Sequence, residues 1–253
     1  MLPIPVETRR LALLLEDLGL SRAEVCRELK VSRSSVGRWR DRMEPLGYVF
    51  QPCWRCSTPT DPPPDPWAYL YLLGQYLGDG HIAPTGRGTS RSQVLRVYGD
   101  DAWPGLQDEV EAAMEAVLPV NPFRCQKRGC SSVEAISVHW RCLFPQAGPG
   151  KKHDRTIALE PWQRELVLLD PRPLIRGLIL SDGCRTTNRV VTRGTPYAYP
   201  RYFFTNYSQD ILDLFTGALD HLAIPWRYTK PTVISIARGQ AVEALDAFVG
   251  PKA

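Results

Sequence analysis

Two short stretches of this chain have apolar residues on every face of a helix. The first, Leu72–Gly80, reads L-L-G-Q-Y-L-G-D-G, and the second, Ile175–Gly183, reads I-R-G-L-I-L-S-D-G and begins 103 positions later. Because neither stretch leaves a polar face, each is predicted to form a helix that is buried on most sides. Such helices belong at the centre of a fold.

Small residues recur at the spacing of one helical turn in both stretches. They are Gly74 and Gly78 in the first and Gly177 and Ser181 in the second. A stripe without large side chains lets another backbone approach closely, so each helix is expected to contact another helix along its stripe. The glycine that follows each helix is expected to take the left-handed conformation found just past a helix C-terminus; these glycines are Gly80 and Gly183.

A second motif repeats at the same offset. Pro122–Lys127 has the pattern P-[FW]-R-x-x-K, and so does Pro225–Lys230, 103 positions further on. One offset kept across two distant motifs indicates an internal duplication.

The segments between these motifs have the spacing of strands and helices. In the first half, Ser92–Tyr98 alternates, Asp108–Leu118 has helical apolar spacing, and Val133–Val138 is typical of a strand. The second half repeats this order in Asn188–Thr192, Arg201–Thr205, Ile211–Leu222 and Thr232–Ala237. Each unit is therefore predicted to be helix, two strands, helix, two strands.

An aspartate occupies the last turn of each buried helix, at Asp79 and Asp182. A carboxylate there opposes the helix macrodipole, at a cost of about 0.3 to 1 kcal/mol at each end. A hard divalent cation would compensate for this cost, and oxygen-only ligation suits magnesium. The simpler interpretation is a duplicated buried helix that ends in a common Asp-Gly turn.

These residues resemble the LAGLIDADG homing endonucleases, whose name spells the motif and whose penultimate aspartate is the metal-binding acid. The resemblance implies an α+β fold in which an αββαββα unit is duplicated with pseudo-twofold symmetry. It assigns metal binding and catalysis to Asp79 and Asp182, with Mg²⁺ or Mn²⁺ as the cofactor. The chain departs from the family pattern at Leu77 and Leu180, where the family has its first aspartate.

The same resemblance implies a saddle of antiparallel strands on duplex DNA, with both strands cleaved below the helix ends. A central lysine that assists the scissile phosphate is usual in the family, which assigns that catalytic role to Lys127 and Lys230. Both lysines have the opposite strand parity to Arg124 and Arg227, unless a β-bulge intervenes.

Period-two spacing predicts a DNA-binding face on the strands of the second motif. It places Arg124, Gln126 and Arg128 on one strand face and Arg227 and Thr229 on the equivalent face of the second copy. Long cationic and amide side chains can reach phosphates and base edges. An ordinary solvated strand face is the alternative.

The N-terminal segment has the apolar spacing of several short helices, with Ser21 and Ser32 as N-caps. It resembles a helix-turn-helix of the resolvase or transposase type. The last helix is expected to face base edges while its arginines bind phosphate; the predicted DNA-binding residues are Arg33, Ser34, Ser35, Arg38 and Arg40. A small three-helix protein-interaction module is the alternative.

Two of the cysteine spacings fit a structural zinc site. Cys53 and Cys56 form a C-x-x-C, and Cys125 and Cys130 form a C-x-x-x-x-C, so the four thiolates could bind one Zn²⁺. The chain has seven cysteines, an odd number without a secretory signal, which favours reduced and inert thiols as the alternative.

These patterns predict a helix-turn-helix domain at residues 1–50 and a proline-rich linker with the C-x-x-C at 51–66. The first repeat is predicted at 67–140, a connector at 141–173 and the second repeat at 174–253.

Composition limits the partners of the chain. Its 253 residues carry a net charge of only +4, so DNA affinity has to come from arranged arginines rather than from bulk charge. No stretch approaches the roughly 18 apolar residues of a membrane span, and the start lacks a signal-peptide layout. A cytoplasmic protein is expected.

The predicted function is therefore site-specific, metal-dependent endonuclease activity on double-stranded DNA by a monomer, with no membrane and no small-molecule substrate. The alternative is a non-cleaving transcription regulator. WhiA-type regulators also combine a LAGLIDADG-like domain with a helix-turn-helix, in the reverse order, and have lost the catalytic acids.

Overall fold

The computed structural model describes residues 6–43, 63, 65–85, 92–127, 129–192 and 194–252. The chain divides into two compact units, residues 1–59 and residues 60–253. Cys53, Cys56, Arg128 and most of the predicted linker lie outside the described residues. None of the helices in the described ranges combines the length and the apolar character that a membrane span needs.

The described residues of the N-terminal unit, 6–43, form the helices α1 (Val6–Asp17), α2 (Arg22–Leu29) and α3 (Arg33–Met43). Ser21 caps α2 in a capping box with Glu24, whose carboxylate accepts from the Ser21 backbone N–H at 2.8 Å. Ser32 caps α3, since its hydroxyl accepts from the Ser35 N–H at 3.1 Å. Both predicted caps are therefore present. The small core contains the side chains of Ala12, Val25, Val31 and Val36.

The first repeat begins with the motif helix. Its elements are α4 (Pro66–Asp79), β1 (Gly80–Pro84), β2 (Gln93–Asp100), α5 (Pro104–Val117), β3 (Phe123–Lys127) and β4 (Cys130–Ser137). The four strands form an antiparallel sheet in the order β1-β2-β4-β3.

A connector of short helical segments follows. It contains the short helix α6 (Trp140–Leu143), a 3₁₀ turn (Lys152–Asp154) and α7 (Pro161–Leu169). Gln163, which is fully buried, fastens the connector to the motif helix because its side-chain amide donates to the Tyr69 hydroxyl at 2.5 Å.

The second repeat has the same order of elements. They are α8 (Arg172–Asp182), β5 (Gly183–Thr192), β6 (Thr195–Thr205), α9 (Gln209–His221), β7 (Arg227–Lys230), β8 (Val233–Ile236) and α10 (Gly239–Val249). Its sheet has the order β5-β6-β8-β7. This topology confirms the predicted α+β fold with a duplicated helix-strand-strand-helix-strand-strand unit, preceded by a small all-α unit.

Each sheet has a helix-facing side and an opposite side, which we call the open face. In the second sheet, the Tyr202 hydroxyl donates to Asp246 of α10 at 2.6 Å. The ring of Phe204 lies 4.3 Å from that of Phe215 in α9. Because side chains alternate along a strand, Arg201 and Phe203 lie on the open face.

The two motif helices α4 and α8 contact each other through the stripe of small residues. A Cβ atom added at Gly177 would lie 2.3 Å from the Tyr71 carbonyl oxygen, and one added at Gly74 would lie 2.6 Å from that of Leu174. One turn further on, a Cβ at Gly78 would lie 2.1 Å from the Ser181 hydroxyl. The predicted close helix contact is therefore present, and it joins the two repeats.

Gly177→Ala is expected to destabilise the C-terminal unit by about 3 kcal/mol, because a methyl group there meets main-chain atoms that cannot rotate away. Gly217→Ala is the matched control, since it also changes a helical glycine but has nothing within 4 Å of the added atom. It should stabilise the unit by about 0.5 to 1 kcal/mol. Urea unfolding of both variants measures the difference, and equal effects would contradict the proposed contact.

The glycines after the motif helices do not take the predicted left-handed conformation. Gly80 has φ −89° and ψ 155°, and Gly183 has φ −106° and ψ 169°, so each helix passes directly into an extended strand. Close approach is the reason for glycine here. An added Cβ would lie 2.4 Å from the Tyr76 Cα at Gly80 and 2.8 Å from the Ile179 Cα at Gly183.

Candidate active site

The aspartates at the ends of the motif helices lie near each other. Burial and, to a smaller extent, the negative charge of Asp79 raise the pKa of Asp182 to about 6, whereas a hydrogen bond from Asn206 opposes the shift. Asp79 is open to solvent but lies in a recess, so partial loss of hydration raises the pKa of its carboxyl as well, against the positive charges of Lys152 and Lys252. The contact between α4 and α8 therefore brings the two acids into one site.

Two lysines that the sequence interpretation missed lie beside these acids. The Lys152 ammonium donates to the Gly78 carbonyl at 2.7 Å, and the Lys252 ammonium donates to the Ser181 carbonyl at 3.4 Å. Gly78 and Ser181 are equivalent positions of the two repeats, 103 residues apart. The lysines thus occupy corresponding places, one supplied by the connector and the other by the C-terminal segment.

The ionisation of both lysines is influenced by this site. Burial lowers the pKa of Lys152 to about 8, although the charges of Asp182 and Asp79 act in the opposite direction. Burial also lowers the pKa of Lys252, again against the two aspartates. Two carboxylates and two ammonium groups therefore form one coupled cluster.

Lys127 and Lys230, the lysines assigned a catalytic role by resemblance, lie elsewhere in their repeats. The Lys127 ammonium donates to the Tyr98 hydroxyl at 3.1 Å and lies 4.3 Å from the centre of the Tyr98 ring. Lys230 is exposed at the end of β7. Among the described residues, the lysines that act on the two aspartates are Lys152 and Lys252.

Arg124 and Gln126 lie on the helix-facing side of the first sheet, opposite to the open face, and their role in DNA binding stays a prediction. Arg124 pairs with Asp108 and Glu111 of α5, with Nε 2.7 Å from the Glu111 carboxylate. Gln126 donates to Asp101 at 2.8 Å. The two residues share a strand face as predicted, and both stay exposed while their side chains bond to carboxylates of α5 and of the loop before it. Phe123, Cys125 and Lys127 alternate with them and lie on the open face.

The second copy has a different arrangement because of a β-bulge. Arg227 is paired with Ser235, which is itself paired with Phe203, so Arg227 lies on the open face. The register shifts between Tyr228 and Lys230, which brings Lys230 opposite Val233 and onto the same face as Arg227. Thr229 lies at this bulge, and its hydroxyl donates to the Val233 carbonyl at 3.3 Å.

The predicted DNA-binding residues of the N-terminal unit begin at the first turn of α3. Arg33 and Ser34 are exposed there. The hydroxyl groups of Ser34 and Ser35 lie 3.0 Å and 2.8 Å from that of Ser32, so they also take part in the helix cap. The side chains of Arg38 and Arg40 lie outside the described part of the structure.

Two of the four predicted zinc ligands lie within the described residues. Cys125 on β3 and Cys130 on β4 both have free thiols and lie on the open face of the first sheet. Within the described residues no cluster of three or more His, Cys, Asp or Glu side chains could hold a metal ion. Because Cys53 and Cys56 lie outside those residues, the four-cysteine site stays a prediction.

Comparison with known proteins gives a match for the N-terminal unit. The family model described as a homeodomain-like domain matches residues 4–48. No curated protein sequence matches the chain.

Several solved structures are similar to most of the chain. The LAGLIDADG meganuclease I-AabMI bound to uncleaved DNA has a TM-score of 0.48 at 13% identity, with 73% of this chain and 82% of that chain covered. The meganuclease I-SmaMI bound to uncleaveable DNA has a TM-score of 0.46 at 9% identity, with 74% and 84% covered. I-SmaMI bound to an uncleaved DNA target in the presence of calcium ions has a TM-score of 0.46 at 9% identity, with 74% and 85% covered.

Proposed function

We propose that this chain is a site-specific, metal-dependent endonuclease of the LAGLIDADG homing type that acts on double-stranded DNA as a monomer. The observation that carries this proposal is the coupled cluster of Asp79, Asp182, Lys152 and Lys252. Two acids and two lysines in corresponding places give one set of charges for each strand of a duplex. A single chain with two repeats supplies both sets, so no second copy is needed.

The two carboxylates fit a hard divalent cation. They are oxygen donors that have lost part of their hydration, and the charge of Asp79 makes the ionised form of Asp182 less favourable. Asp79 and Asp182 would hold Mg²⁺ or Mn²⁺, and the remaining positions would be left to water and phosphate oxygens, as magnesium prefers. When bound, the ion would polarise a phosphoryl oxygen and lower the pKa of a bound water.

The lysines contribute charge and proton transfer at the same place. The Lys152 ammonium, fixed on the Gly78 carbonyl, would stabilise negative charge that develops on the scissile phosphate. Because the pKa of Lys152 is lowered to about 8, part of the population is neutral at a slightly alkaline pH and can accept a proton from an attacking water. Lys252 would have the same role in the second half.

The open faces of the two sheets provide the surface for the duplex. Lys127 lies on the open face of the first sheet, and Arg227 and Lys230 lie on that of the second. Cations on a strand face can contact phosphates and base edges. The homeodomain-like unit would bind a second DNA segment, and its covalent link raises the effective concentration of that contact.

The test is incubation of the protein with a plasmid library of randomised sites, with Mg²⁺ and with EDTA. Magnesium-dependent linear products with one shared cut site support the endonuclease. Binding without cleavage supports the alternative, a non-cleaving transcription regulator, which the homeodomain-like match at residues 4–48 favours. Failure to bind any DNA in either condition would overturn both.

Arg227→Ala is expected to weaken DNA binding several-fold and to lower the slope of log affinity against log salt by about 1, because one phosphate contact is lost. Arg124→Ala removes the equivalent arginine of the sequence repeat. It should leave the salt slope unchanged and cost about 1 kcal/mol of stability, since Arg124 pairs with Asp108 and Glu111. Fluorescence anisotropy over a range of salt concentrations measures both slopes. If Arg124→Ala lowered the slope and Arg227→Ala did not, the assignment of Arg227 to the DNA-binding face and of Arg124 to the helix-facing side would be refuted.

A further inference from the structure

The carboxylate of Asp182 is held in one orientation by Asn206, the residue that follows β6. The Asn206 side-chain N–H donates to the Asp182 carboxylate at 2.8 Å. The orientation of this amide is itself fixed, because its oxygen accepts from the Ser208 backbone N–H at 2.8 Å. The Asn206 backbone N–H donates to the Thr232 carbonyl at 3.1 Å. Asn206 is thus a rigid donor aimed at one oxygen of Asp182.

The first repeat has a glycine in the place of this asparagine. Gly80 is paired with Val97 in the first sheet, and Gly183 is paired with Phe204 in the second. Two residues beyond these partners lie Gly99 and Asn206 respectively. Because Gly99 has no side chain, it cannot supply the corresponding donor to the first motif aspartate.

The space beside Gly99 is open. A cavity of about 200 Å³ lies there, with Asp79, Gly99 and Gln107 among the residues that line it. Among the residues that the structure describes, none has a side chain that donates a hydrogen bond to Asp79 within this cavity. The two aspartates therefore have different surroundings, even though their helices are related by the duplication.

A hydrogen bond behind a metal-binding carboxylate fixes the orientation of the ligand, and its loss typically costs about 10- to 100-fold in metal affinity or activity. Asp182 has one oxygen occupied by Asn206 and one left for a cation. Asp79 has to lose rotational freedom when it binds a cation, which makes binding weaker. From this difference we infer that Asn206 is a positioning residue that makes the Asp182 half of the site bind its divalent cation more tightly and cut its DNA strand first.

This inference rests on the proposed endonuclease function, but its first test needs no cleavage. Calorimetric titration of the DNA-free protein with Mg²⁺ is expected to show two affinities that differ about 10- to 100-fold. Asn206→Ala should reduce the tighter affinity to about that of the weaker, and Asp182→Asn should remove the tighter site. Gly99→Asn should strengthen the weaker site, because a Cβ at Gly99 lies 3.6 Å from its nearest neighbour, the Gln107 side chain, and an asparagine fits there.

Gln209→Ala is the matched control, since Gln209 is an exposed amide just after Asn206 that donates to Asp213 and Tyr228 instead. It should leave both Mg²⁺ affinities unchanged. Two equal affinities in the parent protein, or no effect of Asn206→Ala on the tighter one, would overturn the inference. If circular dichroism shows that Asn206→Ala does not fold, the Mg²⁺ affinity of Gly99→Asn provides the test instead. The weaker site should then bind Mg²⁺ more tightly than in the parent, and an unchanged affinity would overturn the inference.

The second test follows each strand of an end-labelled target. Asp79→Asn and Asp182→Asn identify which strand each half cuts, and the parent should nick the Asp182 strand first. Asn206→Ala should slow that strand about 10- to 100-fold relative to the other. Equal slowing of both strands would overturn the positioning role. If the parent cuts neither strand, the proposed endonuclease function fails, whereas unequal Mg²⁺ affinities that depend on Asn206 would still support the positioning of Asp182.

Discussion

The Asp79→Asn, Asp182→Asn double variant is expected to bind target DNA with unchanged or higher affinity and to cut it at least about a thousandfold more slowly than the parent. The substitution removes both charged oxygen donors, so the metal ion is no longer held. A bound metal ion stabilises the charge of the transition state by several kcal/mol, and each loss of about 1.36 kcal/mol lowers the rate tenfold. Binding survives because the cations of the open faces are untouched. Single-turnover cleavage and anisotropy on the same labelled duplex separate the two effects.

The Asp182→Asn substitution by itself should stabilise the protein when no metal is present. The pKa of Asp182 is raised to about 6 in the folded protein, above its ordinary value of 3.8, because burial and the charge of Asp79 disfavour the ionised form. Because the pKa of Asp182 is higher in the folded state than in the unfolded state, its contribution to stability is fully present below about pH 4 and is lost as the pH rises through 6. The amide introduced by Asp182→Asn keeps an oxygen that can accept from Asn206, but it never ionises.

Urea unfolding in EDTA should therefore show that Asp182→Asn matches the parent at pH 4 and exceeds it by about 1 to 2 kcal/mol at pH 7, after allowance for partial solvent screening. Addition of Mg²⁺ should stabilise the parent and have no such effect on the double variant. A gain that is the same at pH 4 and pH 7 would mean that the carboxylate charge is not its cause.

The parts of the fold that the sequence predicts well are those that local chemistry determines. Gly74 and Gly177 have no substitute, because backbone atoms of the opposite helix occupy the place of a Cβ. The motif therefore predicts the helix contact, and the offset of 103 identifies its partner. The predicted conformation of Gly80 was wrong, because a glycine is needed there by crowding against Tyr76 rather than by a left-handed turn.

Strand faces could not be predicted from the repeated motif, because the register of a ladder depends on pairing partners that lie far away in the sequence. The motif aligns Arg124 with Arg227. In the sheets, Ser235 of the second repeat occupies the place of Glu134 in the first. Arg227 pairs with Ser235, but Arg124 pairs with Val133, one residue before Glu134. A slip of one residue moves every side chain to the other face. That slip explains why one arginine meets α5 and the other lies on the open face.

The lysines of the site were missed because they lie 100 positions apart rather than 103, outside the repeated α-helices and strands. A weak signal does exist. Gly148-Pro149 precedes Lys152 and Gly250-Pro251 precedes Lys252, and these dipeptides are 102 positions apart. Loop segments tolerate insertions, so an offset that is preserved in helices drifts in them. Only the contacts with Gly78 and Ser181 identify the two lysines as a pair.

Lys152→Met is expected to lower the single-turnover cleavage rate about 10²- to 10³-fold, as the loss of one preorganised charged donor does at other sites where charge develops in the transition state. The effect should fall on the rate at saturating protein and not on DNA affinity, because the Lys152 ammonium is held against the Gly78 carbonyl and the two acids. Methionine is also unbranched and is one atom shorter than lysine, so it keeps most of the packing without the charge. Thermal unfolding in EDTA checks that the fold is intact.

Lys151→Met is the matched control, since Lys151 is the exposed neighbour of Lys152 and carries the same charge. It should change the saturating rate less than about twofold, well short of the loss expected from removing a preorganised donor. Lys127→Met gives the opposite pattern, because Lys127 lies on the open face next to Tyr98 and should affect DNA affinity more than the saturating rate. If Lys127→Met abolished cleavage at saturating protein while Lys152→Met did not, the lysine assigned by family resemblance would be the catalytic one, and the cluster around Asp79 and Asp182 would have a different role.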